Sequence, residues 1–313
     1  MVSQRKLRVA VVGVGYLGRH HARILAALDG VELVGVADRN WPRAQEIARA
    51  HGTSAYPDAS ALPDDVDAVT VAAPTEVHHA IARPWLERGV GVLVEKPLAR
   101  TLDEADDLLA VASRSGAVFA VGHTERHNPA VQAALPLVDR PGFVEVHRLG
   151  TFPERSLDID VVFDLMIHDL DVLLATVRSD VVSLEAVGVP VLTGRIDIAN
   201  ARLKFASGCI ANVTASRISR DRVRKVRFFQ QDAYLSIDYA SQELERWSLA
   251  RRPGSAPAIE GGKVQIERQE PLRLELLDFA DAVRACRAPL VTGQDGRRAL
   301  ALATRITEAI ERG

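Results

Sequence analysis

The triplet Gly13-x-Gly15-x-x-Gly18 stands between an apolar run, Leu7 to Val12, and a segment of helical period, residues 16–28. No other feature limits the fold as tightly. A strand that turns straight into a helix over this spacing needs its first glycine for the tight turn. The second lets the backbone approach a pyrophosphate, and the third lets helix pack on strand. The helix N-terminus then offers unpaired N–H groups to the phosphates. This is the opening of a βαβ unit, and the alternation continues. Strands are expected at Val31 to Ala37, Asp67 to Ala72, Val90 to Val94 and Ala117 to Val121. Helices are expected at 41–51, 76–88 and 103–115, the last opened by Thr101 or Asp103. Short apolar runs alternating with helices predict a parallel sheet covered on both faces.

The pattern changes after Gly122. One apolar helix, roughly 161–176, precedes strand-like runs near 181–190, 196–205, 208–216, 223–230, 232–238, 243–250 and 263–268. Ala206-Ser207-Gly208 reads as a hairpin turn, and Arg251 to Pro257 as a loop. Two helices, about 272–286 and 296–312, close the chain. The expected fold class is α/β followed by α+β. A Rossmann dinucleotide-binding domain spans 1–122. A substrate-binding and oligomerisation domain spans 123–296, with a mostly antiparallel open sheet covered by helices on one face. The uncovered face predicts a homo-oligomer, dimer or tetramer.

Composition excludes several classes. A formal charge of −2 over 313 residues makes no case for a nucleic-acid or anionic-membrane surface. Cys209 and Cys286 are the only cysteines, which fits buried thiols in a reducing compartment better than a disulfide framework or a metal cluster. Met1 to Lys6 runs directly into the first strand, without an apolar stretch of signal-peptide length, and no later run is long enough to span a bilayer. A soluble cytoplasmic protein is expected.

Asp38 ends the second strand 20 residues after Gly18, where a carboxylate binds the ribose 2′-hydroxyl of NAD. A 2′-phosphate would meet its negative charge, so NAD is favoured, while neighbouring Arg39 keeps NADP possible. His20 and His21 read as packing or surface residues. Ala72-Ala73-Pro74-Thr75-Glu76-Val77-His78 begins at the carboxyl end of the third strand. Thr75 and His78 there can border the nicotinamide ribose, or Thr75 can cap the next helix.

Lys96 follows the fourth strand within Val92-Leu93-Val94-Glu95-Lys96-Pro97, and Pro97 restricts its backbone to an extended conformation. Such a lysine can bond a substrate hydroxyl, or be an ordinary solvated strand end. A second constellation tips the reading. In the nearly apolar run Val161 to Leu174, the polar exceptions Asp164, His168 and Asp171 fall on one helical face. Polar groups on a buried helix need partners, so the stripe suggests a site. An imidazole's titration range suits His168 to a general base, with Asp164 orienting it or touching substrate. No metal is expected, because no third ligand stands at a supporting spacing.

With the glycine triplet, Glu95-Lys96-Pro97 and Asp164-x-x-x-His168 in this order, the chain resembles the Gfo/Idh/MocA family of two-domain, nicotinamide-dependent sugar and polyol dehydrogenases. The resemblance covers essentially the whole length. It includes Pro289 to Gly296 before the last helix, 297–313, which in the family packs back on the nucleotide domain. It implies that Lys96 and His168 form the catalytic pair, that Asp164 belongs to the substrate site, and that Arg126 and Asn128 face substrate. The implied cofactor contacts are Gly13, Gly15, Tyr16, Leu17, Gly18, Asp38, Arg39, Thr75, His78, Glu95 and Lys96. Two departures concern the substrate: Met166 stands where many members have glycine, and His127 where many have an aromatic. Within the family, Gly122–Pro129, Asp160–Asp171 and Asp197–Arg202 look like the branch that oxidises the 3-hydroxyl of UDP-N-acetylglucosamine, toward a 2,3-diamino sugar nucleotide for lipid A. The alternatives are an inositol or free-sugar dehydrogenase, an NAD-dependent glycosidase that oxidises C3 transiently, and a non-catalytic dinucleotide sensor.

Overall fold

The computed structural model describes residues 5–152, 159–252 and 256–312. The chain divides into two compact units, residues 1–124 with 270–297 and residues 125–269 with 298–313.

In the first unit the chain runs β1 (Leu7–Val12), α1 (Gly18–Ala27), β2 (Val31–Ala37), α2 (Trp41–His51), β3 (Ser54–Tyr56), β4 (Ala68–Val71), α3 (His78–Glu87), β5 (Gly91–Glu95), α4 (Leu102–Ser115) and β6 (Phe119–Gly122). The strands form one parallel sheet in the order β3-β2-β1-β4-β5-β6. Strands β4, β5 and β6 are buried at every position, as a sheet covered on both faces requires. Local chemistry sets the helix ends. The Asn40 side chain accepts from the Arg43 amide to open α2, and Gly52 closes it at φ 65°. The Thr101 hydroxyl accepts from the Glu104 amide to open α4, settling the choice between Thr101 and Asp103. Edge strand β3 was not expected from the sequence, since three residues carry no readable period.

The second unit runs α5 (Pro129–Ala134), β7 (Phe143–Leu149), a π-helical turn at Val162–Met166 continuing into α6 (Ile167–Val177), then β8 (Val181–Val189), β9 (Ile198–Phe205), β10 (Ile210–Ser216), β11 (Val223–Gln230), β12 (Ala233–Asp238), β13 (Glu243–Ala250) and β14 (Ala258–Val264). The eight strands are ordered β14-β13-β12-β11-β7-β10-β9-β8. All pairings are antiparallel except β7 with β10. The expected hairpin turn joins β9 to β10, with Gly208 at φ 90°. The last strand lies earlier than expected. Of the expected loop Arg251 to Pro257, residues 253–255 lie outside the described residues, as do Met1 to Gln4.

Helices α7 (Pro271–Ala285) and α8 (Gly293–Glu311) close the chain. Residues 270–297 belong to the first unit, because Leu276, Phe279 and Ala280 of α7 join the core of Val9, Val11 and Leu25. From Arg298 onward α8 groups with the second unit. Its stripe of Ala299, Leu302, Ala303 and Ile306 completes the core of Val213, Phe205 and Leu170. A Cβ on Gly188 of β8 would lie 2.8 Å from Ile196 and 2.9 Å from Ile310, so the helix side chain packs directly on the strand backbone. Cys209 is buried as expected, and burial pushes its thiol up to about 11, but Cys286 is exposed in a left-handed turn after α7. Among the described residues no helix is long and apolar enough to cross a membrane.

Candidate active site

In the first unit, Val12 pairs with Ala37 and Val71, and Val71 with Val94. The four strands therefore end level, which gathers Gly13, Asp38, Ala72 and Glu95 at one carboxyl edge. Strand order reverses between β1 and β4, the crevice where open α/β sheets take their ligands. The glycines divide their work as the fingerprint predicts. A Cβ on Gly13 (φ 83°) would lie 2.7 Å from the Ala72 backbone, and one on Gly18 1.8 Å from the Gly13 carbonyl oxygen. A Cβ on Gly15 would meet nothing within 4 Å, so this glycine faces open space. No side chain caps α1, and its first turn carries no acidic residue. An uncapped helix start beside a bare glycine is the cradle a pyrophosphate needs.

Asp38 fixes this turn as well as marking its edge. Its Oδ2 accepts from the Val14 amide and its Oδ1 from the Asn40 amide, both at 2.8 Å. Arg39 is exposed. The nearby arginine that engages the turn is Arg43, which donates to the Val14 carbonyl at 3.0 Å and pairs with Glu46 at 2.7 Å. Nothing in the residue pattern marks it out. Tyr16 and Leu17 occupy the tip of the turn, with Tyr16 largely exposed beneath the Arg19 guanidinium.

Thr75 is not a helix cap: Pro74 holds that position and no side-chain bond is made there. His78 is buried, with Nδ1 3.0 Å from the Pro97 carbonyl oxygen and Nε2 2.8 Å from the Ala73 carbonyl oxygen. Glu95 is buried too. Its Oε1 meets His21 Nε2 at 3.0 Å, and its Oε2 accepts from the Lys96 amide at 3.2 Å. Glu275 completes a buried trio with His21 and Glu95 whose ligand atoms lie within 4.8 Å of one another. A metal-bound imidazole hands its second nitrogen's proton to an acceptor, yet His21 Nδ1 is buried with no hydrogen-bond partner among the described residues. The trio fits a hydrogen-bonded anchor better than a cation site. Across residues 91–99, Lys96 alone is not buried.

In the second unit, Asp164 lies inside the π-helical turn and His168 in the first turn of α6. Both are partly exposed, while Val161, Val162, Met166, Ile167 and Leu170 between and beside them are wholly buried. The turn closes with the Ile167 amide bonded to the Val162 carbonyl, five residues back. Such insertions recur at functional sites. Its entry is anchored by Asp160, which accepts from the Ile196 amide, and by buried Arg217, which donates to the carbonyls of Ile159 and Ile196.

Three polar residues of this unit are held by protein partners. Asp171 is buried and paired with Arg126 at 3.2 Å, so it departs from the open stripe of Asp164 and His168. Arg126 is nearly as buried as its partner. Asn128 is 1% exposed; its amide oxygen accepts from the Ala130 amide to cap α5, and its NH2 donates to the Tyr239 carbonyl at 3.0 Å. Below His168 lies a network the sequence did not disclose. Arg148 on β7 grips Asp169 with two bonds, at 2.5 and 3.1 Å, reaches Glu125 at 3.1 Å and stacks on Tyr239. Burial alone would lower the Arg148 pKa, but the charges of Asp169 and Glu125 outweigh it and raise it above its ordinary value. Burial likewise keeps Tyr239 a neutral phenol.

Comparison with known proteins agrees with both halves. Residues 7–123 match the model of an oxidoreductase family with an NAD-binding Rossmann fold, and residues 145–235 match the GFO/IDH/MocA C-terminal domain. UDP-N-acetylglucosamine 3-dehydrogenase of Acidithiobacillus ferrooxidans is 39% identical over 309 residues, 97% of each chain. The chain belongs to the Gfo/Idh/MocA oxidoreductase family.

A solved structure of that Acidithiobacillus enzyme, GnnA, superposes with a TM-score of 0.92 at 38% identity over 99% of each chain. The scyllo-inositol 2-dehydrogenase (NAD(+)) of Bacillus subtilis is 27% identical over 99% of this chain and 96% of its own. A levoglucosan dehydrogenase at 19% identity and TM-score 0.87 shares the fold. As a Gfo/Idh/MocA member the chain is an NAD-binding oxidoreductase, and the bare Gly15 turn, uncapped α1 and Asp38 are the features of its structure that fit the dinucleotide.

Proposed function

We propose that this enzyme oxidises the 3-hydroxyl of UDP-N-acetylglucosamine to the 3-keto sugar nucleotide with NAD. The observation that carries this reading is 39% identity along 97% of both chains to an enzyme of that name. NAD, held by the Gly13–Gly18 turn with Asp38 at the adenosine ribose, supplies the hydride acceptor. Lys96 donates a hydrogen bond to the substrate oxygen and favours its alkoxide. His168 takes the hydroxyl proton, and Asp164 orients the imidazole or binds a neighbouring hydroxyl. Thr75 borders the nicotinamide ribose. General acid–base residues of this kind contribute about 10²–10⁴-fold each.

Two further readings belong with this one. The second unit's sheet supports a homo-oligomer. Phe143, Phe229, Tyr234 and Trp247 stand opposite one another on β7, β11, β12 and β13, on the face away from the core, and Trp247 and Phe229 are each 39% exposed. An aromatic row of that size on an open face suits burial against a second copy. Two free cysteines, one of them exposed, suit a reducing cytoplasm.

The test is a donor panel. Enzyme, NAD and UDP-N-acetylglucosamine, with glutamate and a partner transaminase to draw off the ketone, should give NADH and the amino sugar nucleotide. NADH from inositol or a free sugar alone would move the substrate to the class of the inositol-oxidising relative. Sugar release without net NADH would point to a glycosidase.

A further inference from the structure

We propose that His78 and the His21–Glu95 pair are positioning residues for Lys96, clamping the backbone on both sides of it. The inference rests on the reading of Lys96 as a catalytic residue and goes beyond it. Before the lysine, the Glu95 carboxylate accepts from the Lys96 amide at 3.2 Å, while its other oxygen is held by His21 at 3.0 Å. That carboxylate is wedged in place, because a Cβ on Gly122 of the neighbouring strand would come within 2.8 Å of it. After the lysine, the His78 ring is wedged between the Pro97 and Ala73 carbonyl oxygens, 3.0 and 2.8 Å from its two nitrogens; a neutral ring donates to one of them and only a protonated ring to both. This strap ties the segment that follows β5 to the loop that follows β4, beside the glycine turn. Both clamps are buried, whereas Lys96 is partly exposed. The lysine side chain therefore leaves from a backbone fixed at each flank. Its long, rotatable stem makes such anchoring worth having, since misplacing a catalytic group by about 1 Å can cost on the order of 10²-fold in rate.

His78 and Glu95 were candidates for direct cofactor contact, and the clamp makes a different prediction. Because His78 touches protein carbonyls through both ring nitrogens, its loss should lower kcat and leave NAD affinity alone. His78→Ala and Glu95→Ala are expected to lower kcat more than tenfold, with the Kd for NAD within about twofold of wild type. Glu95→Gln, which keeps an acceptor for the Lys96 amide, should recover most of the loss, and His78→Gln, which keeps a donor, part of it. The double variants His78→Ala/Lys96→Ala and Glu95→Ala/Lys96→Ala should be no slower than Lys96→Ala alone, because a clamp has nothing left to position. If the alanine variants fail to fold, the two glutamine variants still decide. Both should keep the Kd for NAD within about twofold of wild type while kcat falls measurably, and wild-type kcat in both would overturn the clamp. Wild-type kcat in His78→Ala and Glu95→Ala, or a tenfold weaker Kd for NAD with kcat unchanged, would overturn the clamp. Wild-type turnover in Lys96→Ala would instead overturn the role of the lysine itself, so the two failures are told apart.

Discussion

The two sheets solve burial in different ways. In the first unit, strands such as β5 are buried at every residue, and the polar groups that matter sit at or beyond the strand ends. In the second, β7 alternates between buried and half-buried residues along its whole length, and polar groups lie within the elements themselves. The first arrangement makes a rigid edge on which loops carry chemistry. The second places charged side chains under the core helix, so that Arg148 on a strand can grip Asp169 next to His168. The first unit holds Lys96 from the backbone, and the second supports the turn that carries His168 from beneath.

Removing each unit's reactive group should give the largest effects. Lys96→Ala and His168→Ala are each expected to lower kcat by about 10²–10⁴-fold while NAD binding persists, as steady-state rates and nucleotide titration would show. Unequal loss of NAD affinity would mean that one of them serves the cofactor instead. Next in size is the second unit's buried pair. Asp169→Ala leaves the Arg148 charge without its bidentate partner and should cost about 3–5 kcal/mol in denaturant unfolding. The surface variant Arg268→Ala, whose contact with Glu243 is 3.5 Å and exposed, should change stability by less than ~1 kcal/mol.

Acid sharpens the contrast further. Burial would raise the Asp197 carboxyl, but the Leu192, Thr193 and Val191 amides and the Thr193 hydroxyl prevail and hold it at about 2. Its folded pKa lies below the unfolded value. The stabilisation is therefore complete above about pH 4 and is lost as pH falls toward 2. Asp197→Asn should cost on the order of 1–2 kcal/mol at pH 7, with the gap from wild type closing between pH 4 and 2. Smaller again, Trp247→Asp on the open face should shift the solution mass toward monomer in sedimentation while leaving the first unit's NAD affinity unchanged. Cys286→Ser should alter stability by less than ~0.5 kcal/mol.

The first unit was largely legible because each strand is a short apolar run and each turn a glycine or a cap. What escaped was β3, too short to show a period. The second unit hid more. Its central strand β7 carries Arg148 on the core side, and that charge breaks the alternation a reader looks for. In β14, exposure at nearly every position and Gly261-Gly262 leave no pattern at all. The partners of Asn128, Arg126 and Asp171, a helix cap and a buried ion pair, join residues up to about a hundred positions apart, which spacing along the chain cannot show. The π-helical turn at Asp164 cannot be told from an α-helix by spacing.

The most direct measurement is hydride origin. With UDP-N-acetylglucosamine deuterated at C3, the account predicts that deuterium appears at C4 of the NADH formed and that the rate of the chemical step falls. Deuterium retained in the sugar while NADH forms, or transferred only from another labelled carbon, would contradict it.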